Sequence, residues 1–589
     1  MPDTLSQSAI ATQKPRDVQV LPVATNTMVL RSRSWSRLRF EIEYALERGT
    51  TANSYLITSE RSALIDPPGE SFTASFLEAL SLRFNIATLD YIVLGHVNPN
   101  RAATLKVLLQ RAPNATIVCS NPAAVALRDL FEGNVPPLHI IKGTGDEQLD
   151  LGQGHTLTFM PLPTPRYPDG LSTYDPRTKI VYTDKFFGAH ICGDQIFDEG
   201  WTVFLEDRRY YFDCLMAPYA RQVGTALDKM ETLKSLSLIA PGHGPLVRHG
   251  LTEMLHAYRQ WGKEQRTKDI TVALLFASAY GNTATIGQAI ARGITKAGVA
   301  VESINCESAD TDEVKRILEK CDGFIFGSPT LGGHLPTQVQ TALGIALSTV
   351  PKDKLTGVFG SFGWSGEAID LLEGKLRDAG YGFGFEPIRV KFKPTDVILK
   401  TCEEAGTDFA QSLKKAKKRR SPKQSALKST STVTPTEQAI GRMIGSLCIV
   451  TTRQGDLSSA MLASWVSQAT FSPPGLTVAV SKDRAIESLL YPGKPFVLNI
   501  LAEDNYLGLM KHFLKPFAPG EDRFEGVNTD ESDSGCPILT DALAYLDCKV
   551  KSRMECGDHW VIYATIAEGA VFRPDVKTAV HHRKSGDHY

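Results

Sequence analysis

The segment Phe276-Ala277-Ser278-Ala279-Tyr280-Gly281-Asn282-Thr283 joins a predicted strand to a predicted helix. The apolar residues 272–275 precede it, and isoleucines at 286, 290 and 294 follow at helical spacing. Such a loop suits a phosphate, because backbone N–H groups and hydroxyls face the anion and the helix dipole favours negative charge. Gly281 allows a close backbone approach. An ordinary turn with an N-cap is the alternative. The candidate phosphate loop comprises Ser278, Ala279, Tyr280, Gly281, Asn282 and Thr283.

Two later glycine-rich loops also end predicted strands. They contain Ser328, Pro329, Thr330, Leu331 and Gly332 in residues 325–333, and Ser361, Phe362, Gly363, Trp364, Ser365 and Gly366 in residues 359–366. Ligands of open parallel sheets bind beyond the carboxyl ends of the strands. The three loops therefore predict a site for a flat, phosphorylated, aromatic ligand. Together they resemble the FMN-binding loops of flavodoxin. The resemblance implies a doubly wound parallel sheet over residues 269–413, with Leu331 and Trp364 flanking the isoalloxazine ring.

The composition excludes several classes of protein. The chain has 589 residues, enough for about three to four domains. A net charge of −1 argues against a general nucleic-acid binder. Ten cysteines without a C-x-x-C pair suit a reducing compartment rather than a disulfide scaffold. No apolar run reaches about eighteen residues, and no signal-peptide pattern is found. We expect a cytoplasmic α/β multidomain protein without a membrane segment, beginning with a loosely ordered polar tail over residues 1–35.

Residues 36–265 mix short predicted strands and helices. Strand-like runs at residues 53–57, 63–66 and 89–94 surround a helical pattern at 71–84. Polar loops follow several strands, carrying His96, Arg166, Asp184 and His243. This order resembles the metallo-β-lactamase fold of flavodiiron proteins, an αββα sandwich. The resemblance implies a di-iron site whose ligands are His-x-Glu-x-Asp-His at one strand end, followed by a His, a bridging Asp and a final His.

The ligand chemistry departs from that family at most positions. The matching residues are His96, Asn98, Asn100, Arg101, Arg166, Asp184 and His243. Of these, His96, Asp184 and His243 keep the family's ligand type. Asparagines replace carboxylates and arginines replace histidines, although arginine has no lone pair to offer. The side-chain charge becomes about +1 instead of about −3, which repels iron rather than binding it. We therefore expect the di-iron centre to be absent.

Several states of this degenerate site are open at the level of sequence. Two buried guanidinium groups need partners, so we expect Arg–Asp184 contacts, a trapped small anion, or an open, wet pocket. One metal ion on His96, Asp184 and His243 is an alternative. The favoured interpretation is a domain retained for assembly after loss of its metals.

A basic stretch follows the flavodoxin-like part. Residues 414–423 read Lys-Lys-Ala-Lys-Lys-Arg-Arg-Ser-Pro-Lys, and a Ser/Thr-rich stretch continues to residue 434. This composition predicts a solvated linker over residues 414–434. A membrane-surface or nuclear-signal role is the alternative.

Residues 435–589 alternate apolar strands with tight turns, which predicts a small β-barrel. The region resembles the flavin reductase family of split-barrel FMN proteins. The resemblance implies a second flavin held by Ser464, Trp465, Ser481, Lys482 and Arg484. Residues 581–589, His-His-Arg-Lys-Ser-Gly-Asp-His-Tyr, resemble that family's His-Arg-x-x-Gly-x-x-Tyr ending. An ordinary barrel with exposed basic turns is the alternative.

Nearly the whole chain resembles the three-domain diflavin flavodiiron proteins of oxygenic phototrophs. The resemblance implies electron transport from NAD(P)H through two flavins to a di-iron centre that reduces O₂ to water, a photoprotective reaction. Because the ligands are substituted here, we expect this chain to work with a metal-complete homologue, as a heterodimer or beside its own homodimer. NADH, NADPH and ferredoxin all remain open as donors.

Two other functions remain open. A flavin-only NAD(P)H oxidase or flavin reductase would produce peroxide when reduced FMN meets O₂. A regulatory subunit would bind a small anion through Arg101 and Arg166.

Overall fold

The structure is a computed structural model that describes residues 16–35, 48–143, 147–233, 235–420 and 434–583. The chain divides into two compact units, Met1–Thr267 and Lys268–Tyr589.

The described part of the first unit contains two facing sheets. The first sheet follows sequence order through β1 (Asp17–Ala24), β2 (Thr27–Ser34), β3 (Thr50–Thr58), β4 (Ser62–Ile65), β5 (Tyr91–Val93), β6 (Thr116–Ser120) and β7 (Leu138–Ile141). The second has the order β12-β11-β10-β9-β8, formed by β8 (Gln148–Asp150), β9 (Thr156–Pro161), β10 (Leu171–Asp175), β11 (Ile180–Asp184) and β12 (Leu238–Pro241).

Helices cover the outer face of each sheet. The elements are α1 (Thr73–Ser81), α2 (Pro99–Arg111), α3 (Asn121–Leu130), α4 (Leu205–Leu215), α5 (Ala220–Glu231) and α6 (Leu251–Arg266). One apolar core packs α1, α2 and α3 on the first sheet, and another packs α4, α5 and α6 on the second. A third core, which includes Tyr55, Val93, Phe159 and Tyr182, lies between the sheets. These layers form the predicted αββα sandwich.

The prediction of a polar tail over residues 1–35 is wrong for residues 17–34. These residues form the antiparallel pair β1 and β2, and β2 also pairs with β3. Two arginines interrupt the apolar alternation of this segment and gave it a polar composition. In the structure, both arginines are buried with polar partners. Arg33 pairs with Asp17 and Asp194 at 2.7 Å, and Arg31 donates to the carbonyl of Gln195 at 2.8 Å. Residues 1–15 lie outside the described part.

The second unit begins with a parallel, doubly wound sheet. Its order is β14-β13-β15-β16-β17, and β18 also pairs with β16. The strands are β13 (Thr271–Phe276), β14 (Ala300–Asn305), β15 (Gly323–Pro329), β16 (Leu355–Phe362), β17 (Gly382–Phe383) and β18 (Ile388–Lys391). The helices are α7 (Asn282–Lys296), α8 (Thr311–Lys320), α9 (Thr337–Thr349), α10 (Glu367–Asp378) and α11 (Asp396–Arg420). The three predicted loops lie at the carboxyl ends of β13, β15 and β16, as expected.

The prediction of a linker over residues 414–434 is wrong at its beginning, because helix α11 extends into it. It continues through residue 420, so residues 414–420 of the basic stretch are helical. Lysine and arginine are good helix formers, and the helix gains support by packing along α7. Residues 421–433 lie outside the described part. No helix in the described ranges is both long enough and apolar enough to span a bilayer.

The rest of the second unit is mainly antiparallel. Its main sheet has the order β21-β20-β24-β27-β28-β23-β22. The elements are α12 (Pro435–Ile440), β19 (Gly445–Ser446), β20 (Cys448–Gln454), β21 (Leu457–Ala463), β22 (Val466–Phe471), β23 (Pro474–Ser481), β24 (Pro495–Ile500), α13 (Tyr506–Leu514), β25 (Thr529–Glu531), β26 (Pro537–Leu539), β27 (Ala544–Cys556), β28 (His559–Val571) and β29 (Val580–His581). Val450, Val478, Leu498 and Ile562 belong to its core. This is the antiparallel β-domain that the alternating strands predict.

A buried ionic network joins the two domains of the second unit. Glu403 on α11 forms an ion pair with Lys296 on α7 and lies 3.6 Å from the amine of Lys400. Lys296 also approaches Glu487 of the β-domain at 3.9 Å, and Arg553 reaches the same carboxylate at 3.2 Å. Buried charges of this kind are costly unless each has a partner. The network therefore fixes α7 and α11 against the β-domain.

We predict that Gly406→Ala destabilises the chain. A Cβ at Gly406 would overlap the carbonyl oxygen of Ile290 where α11 crosses α7, and overpacking of this kind costs about 1–3 kcal/mol. Gly374→Ala is the matched control, because Gly374 lies within α10 with open space around a new Cβ. There the change should stabilise by about 0.5–1 kcal/mol. Urea unfolding measures both, and equal effects would contradict the close helix crossing.

We predict that Glu403→Gln destabilises the chain by about 3–5 kcal/mol at neutral pH, since it leaves Lys296 buried without its ion pair. Burial alone would raise the pKa of Glu403, but Lys296, Lys400 and Arg292 outweigh it and hold the pKa well below its usual range. A lowered carboxyl pKa stabilises the fold above the unfolded value of about 4.3, and this stabilisation is lost at lower pH.

The difference in unfolding midpoint between wild type and Glu403→Gln should therefore shrink as the pH falls below that value. Glu386→Gln, which removes an exposed carboxylate 3.6 Å from Arg377, should change the midpoint little. A pH-independent difference, or similar effects for both variants, would contradict the role of Glu403.

Candidate functional site

The predicted phosphate loop lies between β13 and α7. Gly281 is the N-cap residue of the helix, with φ of +80°, and it has no side chain to cap the first amides. The Ser278 hydroxyl accepts a hydrogen bond from the amide of Ala284 at 3.0 Å. The first amides of any helix lack intrahelical acceptors, so this N-terminus presents donors and a positive dipole end. The loop fits an anionic group such as a phosphate.

Hydrogen bonds connect the three loops. The buried hydroxyls of Thr283 and Ser361 lie 2.9 Å apart, which ties the phosphate loop to the end of β16. The amide of Thr330 donates to the carbonyl of Ser361 at 3.0 Å, which ties the middle loop to the same residue. Ser361 is therefore the common attachment point of the candidate site.

Large apolar side chains are exposed around these loops. Tyr280 is 86%, Trp364 92% and Leu331 42% exposed. Such exposed apolar groups usually mark a binding surface. Gly332 has a φ of +57°, with open space where a Cβ would lie. The arrangement offers flat apolar surfaces beside a phosphate loop.

The other predicted residues lie on the same loops or at the adjoining ends of their elements. They are Ala279, Asn282, Ser328, Pro329, Phe362, Gly363, Ser365 and Gly366. The residues present therefore fit FMN, whose phosphate the α7 N-terminus would hold and whose ring the exposed side chains would flank. When bound, FMN supplies one- and two-electron chemistry.

In the first unit, Arg101 occupies the centre of the degenerate metal site. Its guanidinium donates to Asp66 and to Asp184, both at 2.9 Å, and to the carbonyl of His96 at 2.6 Å. Both carboxylates are buried, and the Arg101 side chain is only 11% exposed. The expected Arg–Asp184 contact is thus present, and Asp66 is a further partner.

Burial and Arg101 act in opposite directions on the ionisation of both acids. Burial by itself would raise the pKa of Asp184, but Arg101 and Lys185 outweigh it and hold the pKa well below its usual range. Burial raises the pKa of Asp66 to about 6, although Arg101 opposes the shift. Both aspartates have positive φ, of +44° for Asp184 and +55° for Asp66, a conformation that non-glycine residues keep only where the surroundings hold it.

The two histidines keep the outer partners typical of metal sites. His96 Nδ1 lies 2.8 Å from the carboxylate of Asp169, and His243 Nδ1 donates to the carbonyl of Thr51 at 2.7 Å. In metalloproteins such contacts leave Nε2 for the metal. Here His243 Nε2 lies 3.4 Å from the amine of Lys185 instead. A cation of the chain therefore lies beside the imidazole nitrogen that a metal would use.

The remaining substituted residues have local structural contacts. Asn98 caps α2 by accepting from the amide of Arg101 at 2.8 Å. Asn100 accepts from the amide of Glu70 at 3.1 Å. The guanidinium of Arg166 donates to the hydroxyl of Tyr167 at 3.1 Å and lies over its ring. Arg166 therefore packs against the neighbouring Tyr167.

The donor set and the space do not fit two iron ions. A cavity of about 10 Å³ lies among His96, Tyr167, Asp184 and Lys185, which is room for about one water. Among the described residues, no three His, Cys, Asp or Glu side chains converge as a metal-binding group. The small volume also argues against an open, wet pocket.

Sequence reasoning missed three residues of this site. Asp66, Asp169 and Lys185 each follow a predicted strand or lie in a loop beside a recognised position. Their positions at strand ends could have indicated that they belong to the site, since polar residues after strands gather at one sheet edge. The family's ligand pattern contains only metal ligands and so does not include them. In this structure Asp66 contacts Arg101, Asp169 contacts His96, and Lys185 contacts His243.

A second candidate site lies in the second unit. A cavity of about 770 Å³ is lined by Ser464, Arg484 and His581, among other residues. This volume lies within the usual range for small-molecule pockets, about 300–1,000 Å³. The hydroxyl of Ser464 lies 3.3 Å from His581 Nδ1. Two predicted flavin-site residues, Ser464 and Arg484, are therefore brought together here.

The other three predicted residues are not among those that line this cavity in the described part. Trp465 packs against His559 with 5.0 Å between ring centroids. Lys482 forms an ion pair with Glu555 on β27. Ser481 donates to Asp483 at 2.7 Å, and Asp483 does line the cavity. Ser481 is thus connected to the cavity through its hydrogen bond to Asp483. Residues 584–589 of the predicted C-terminal motif lie outside the described part.

We predict that Arg101→Met destabilises the chain by about 3–5 kcal/mol at neutral pH, because Asp66 and Asp184 stay buried without their shared cation. The loss should shrink as the pH falls below about 3.9, since the wild-type protein then loses the stabilisation from the lowered Asp184 pKa. Thermal unfolding measures it, with Arg177→Met at an exposed position as the control. A loss no larger than that of the control would contradict the central role of Arg101.

Comparisons with known proteins agree with this arrangement. Residues 50–244 match the ODP family beta lactamase, 274–406 match flavodoxin, and 440–587 match the flavin reductase like domain. The chain is 65% identical to diflavin flavoprotein A 6 of Nostoc sp. (strain PCC 7120), covering 98% of this chain and 99% of the relative. It is 43% identical to diflavin flavoprotein A 1 of Synechocystis sp. (strain PCC 6803), with 98% and 99% covered.

A solved structure agrees as well. The metal-soaked Flv1 flavodiiron core from Synechocystis sp. PCC 6803 is 62% identical, with a TM-score of 0.66. The match covers 68% of this chain and 99% of that core. With the sandwich, the flavodoxin-like sheet and the reductase-like domain all present, the chain belongs to the diflavin flavoprotein A family of flavodiiron proteins and is a flavin-dependent oxidoreductase.

Proposed function

We propose that this chain passes electrons from NAD(P)H through a flavin in the reductase-like domain and FMN in the flavodoxin-like domain toward O₂. Reduction of O₂ to water is completed at the metal centre of a homologous partner chain. The observation that carries this proposal is the position of Arg101, whose guanidinium lies between Asp66 and Asp184.

The electrostatics support the division of labour. A divalent metal bound to Asp184 would have to displace Arg101, leaving that cation buried beside the metal. Lys185 adds a second positive charge, 3.4 Å from His243 Nε2. Coulomb repulsion between close charges in a buried site is strong and is little screened by salt. The flavin loops have no comparable defect, so electron transfer by the flavins remains possible without iron.

The partner is a metal-complete homologue, in a heterodimer with this chain or acting beside its homodimer. Its metal centre supplies the step that this chain's first unit lacks. None of the ten cysteines forms a disulfide, which suits the reducing cytoplasmic location that we assign to the reaction.

A flavin-only NAD(P)H oxidase is the second candidate. The exposed Tyr280 and Trp364 favour it, because open loops give O₂ access to a bound flavin. Its product would be peroxide. The anion-binding alternative has less support, since Arg101 is already paired with two carboxylates and the adjoining cavity is only about 10 Å³.

Metal and flavin analysis of the purified full chain tests the proposal. We expect two flavins per chain and far less than one iron after reconstitution with Fe²⁺. NAD(P)H-driven O₂ uptake should be slow for the chain alone and rise when a metal-complete homologue is added, with water as the product. The variant Asn98→Glu/Asn100→Asp/Arg101→His/Arg166→His restores the family's ligand types and is the positive control for iron binding.

Three results would count against the proposal. Two irons in the wild-type chain would remove the reason for a partner. Rapid O₂ uptake by the chain alone with stoichiometric peroxide would favour the flavin-only oxidase. No stimulation by the homologue, at concentrations where the two chains associate, would reject electron transfer between them.

A further inference from the structure

One face of α11 points toward the reductase-like domain. Lys400, Glu404, Gln411 and Lys415 are four, seven and four residues apart, which places them on one side of a helix. Glu404, Gln411 and Lys415 line the cavity of about 770 Å³. Lys400 donates to the carbonyl of Ala485 and the hydroxyl of Ser488 in the reductase-like domain. The helix that ends one flavin domain is therefore a wall of the other domain's cavity.

A first hydrogen bond connects α11 to the turn after β23. Gln411 Nε2 donates to Asp483 Oδ2 at 3.3 Å, while the other oxygen of Asp483 accepts from the Ser481 hydroxyl at 2.7 Å. The amide of Arg484 donates to the carbonyl of Ser481 at 3.1 Å. Gln411 thus holds the carboxylate that orders the turn carrying Arg484, a cavity residue.

A second set of contacts connects α11 to the loop that carries Gly520 and Arg523, at another part of the cavity wall. Glu404 accepts a hydrogen bond from the amide of Gly520 at 3.1 Å and lies 3.6 Å from the guanidinium of Arg523. Arg523 also lines the cavity, and its guanidinium lies over the ring of Phe517 at 4.9 Å. The loop that carries Gly520 and Arg523 is therefore held by α11, as the turn at Asp483 is.

We propose that the second flavin site is shared between the two domains, with α11 forming one wall and Gln411 acting as a positioning residue through Asp483. The occupant is FMN. The inference rests on the proposed second flavin of the reductase-like domain and adds that this flavin is held only when α11 is seated. The same helix packs against α7, which begins at the phosphate loop of the first flavin site. Both flavin sites are then built on one rigid pair of helices.

The test compares Gln411→Glu with Lys418→Glu in the full chain. The first variant replaces the donor with a carboxylate facing Asp483, so that the tie becomes a repulsion. Lys418 is exposed, seven residues further along α11 and not among the residues that line the cavity in the described part. Gln411→Ala removes the donor without adding charge.

FMN per chain after gel filtration, and the affinity for added FMN by fluorescence titration, are the readouts. We expect two FMN for the wild type and for Lys418→Glu. Gln411→Glu should retain one FMN and bind the second about tenfold more weakly. Gln411→Ala should show a smaller loss of the same kind. The retained flavodoxin FMN and an unchanged near-UV circular dichroism spectrum report that the chain is folded.

Unchanged affinity of Gln411→Glu for both flavins would overturn the inference, as would an equal loss in Lys418→Glu. Loss of both flavins from a folded Gln411→Glu chain would also overturn it, because the effect would not be specific to the shared cavity. A wild-type chain that binds only one FMN would instead reject the second flavin in the proposed function, before any variant is compared.

Discussion

The guanidinium of Arg101 lies between two buried carboxylates, and the interpretation of the first unit depends on that contact. Asp184 keeps its charge because Arg101 and Lys185 lie nearby, and both cations are held by groups of the chain. The family's outer contacts persist, since His96 and His243 still use Nδ1 for Asp169 and Thr51. The loops that carry these residues are therefore held together by hydrogen bonds and by the charge of a side-chain cation, Arg101. Removing one member of such a buried group costs more than the group itself contributes.

The second unit shows the opposite situation, because its ligand loops are open and its charges hold the domains together. The N-cap residue of α7 is Gly281, which has no side chain to cap the first amides, while Glu403 and Lys296 fix α7 and α11 at the far end. Packing of α7 against α11 requires Gly406, which allows the two backbones to approach closely. The helix pair thus links the phosphate loop to the cavity of the reductase-like domain. Electron transfer between two flavins depends on such a fixed separation, which a flexible linker would not provide.

Much of this arrangement could be predicted from the sequence, and the failures have specific physical causes. Strand-to-helix loops such as Ser278–Thr283 have a local signature, so the flavodoxin-like site was predictable. The exchange of ligands at Arg101 was visible, and so was its contact with Asp184, because a buried guanidinium needs a carboxylate. Its second partner, Asp66, was not predictable, since that pairing depends on how the sheet brings distant strand ends together. Buried Arg31 and Arg33 concealed strand β2, and the basic composition of residues 414–420 concealed the end of α11, because tertiary contacts decide both.

The central claim is that the chain's own cations exclude a metal pair from the first unit. The most direct measurement is anomalous X-ray diffraction at the iron edge, on crystals of the full chain grown with excess Fe²⁺. The account predicts no anomalous peak within bonding distance of Asp184 and a guanidinium of Arg101 still paired with that carboxylate. Two peaks bridged by Asp184, with Arg101 turned away, would contradict it.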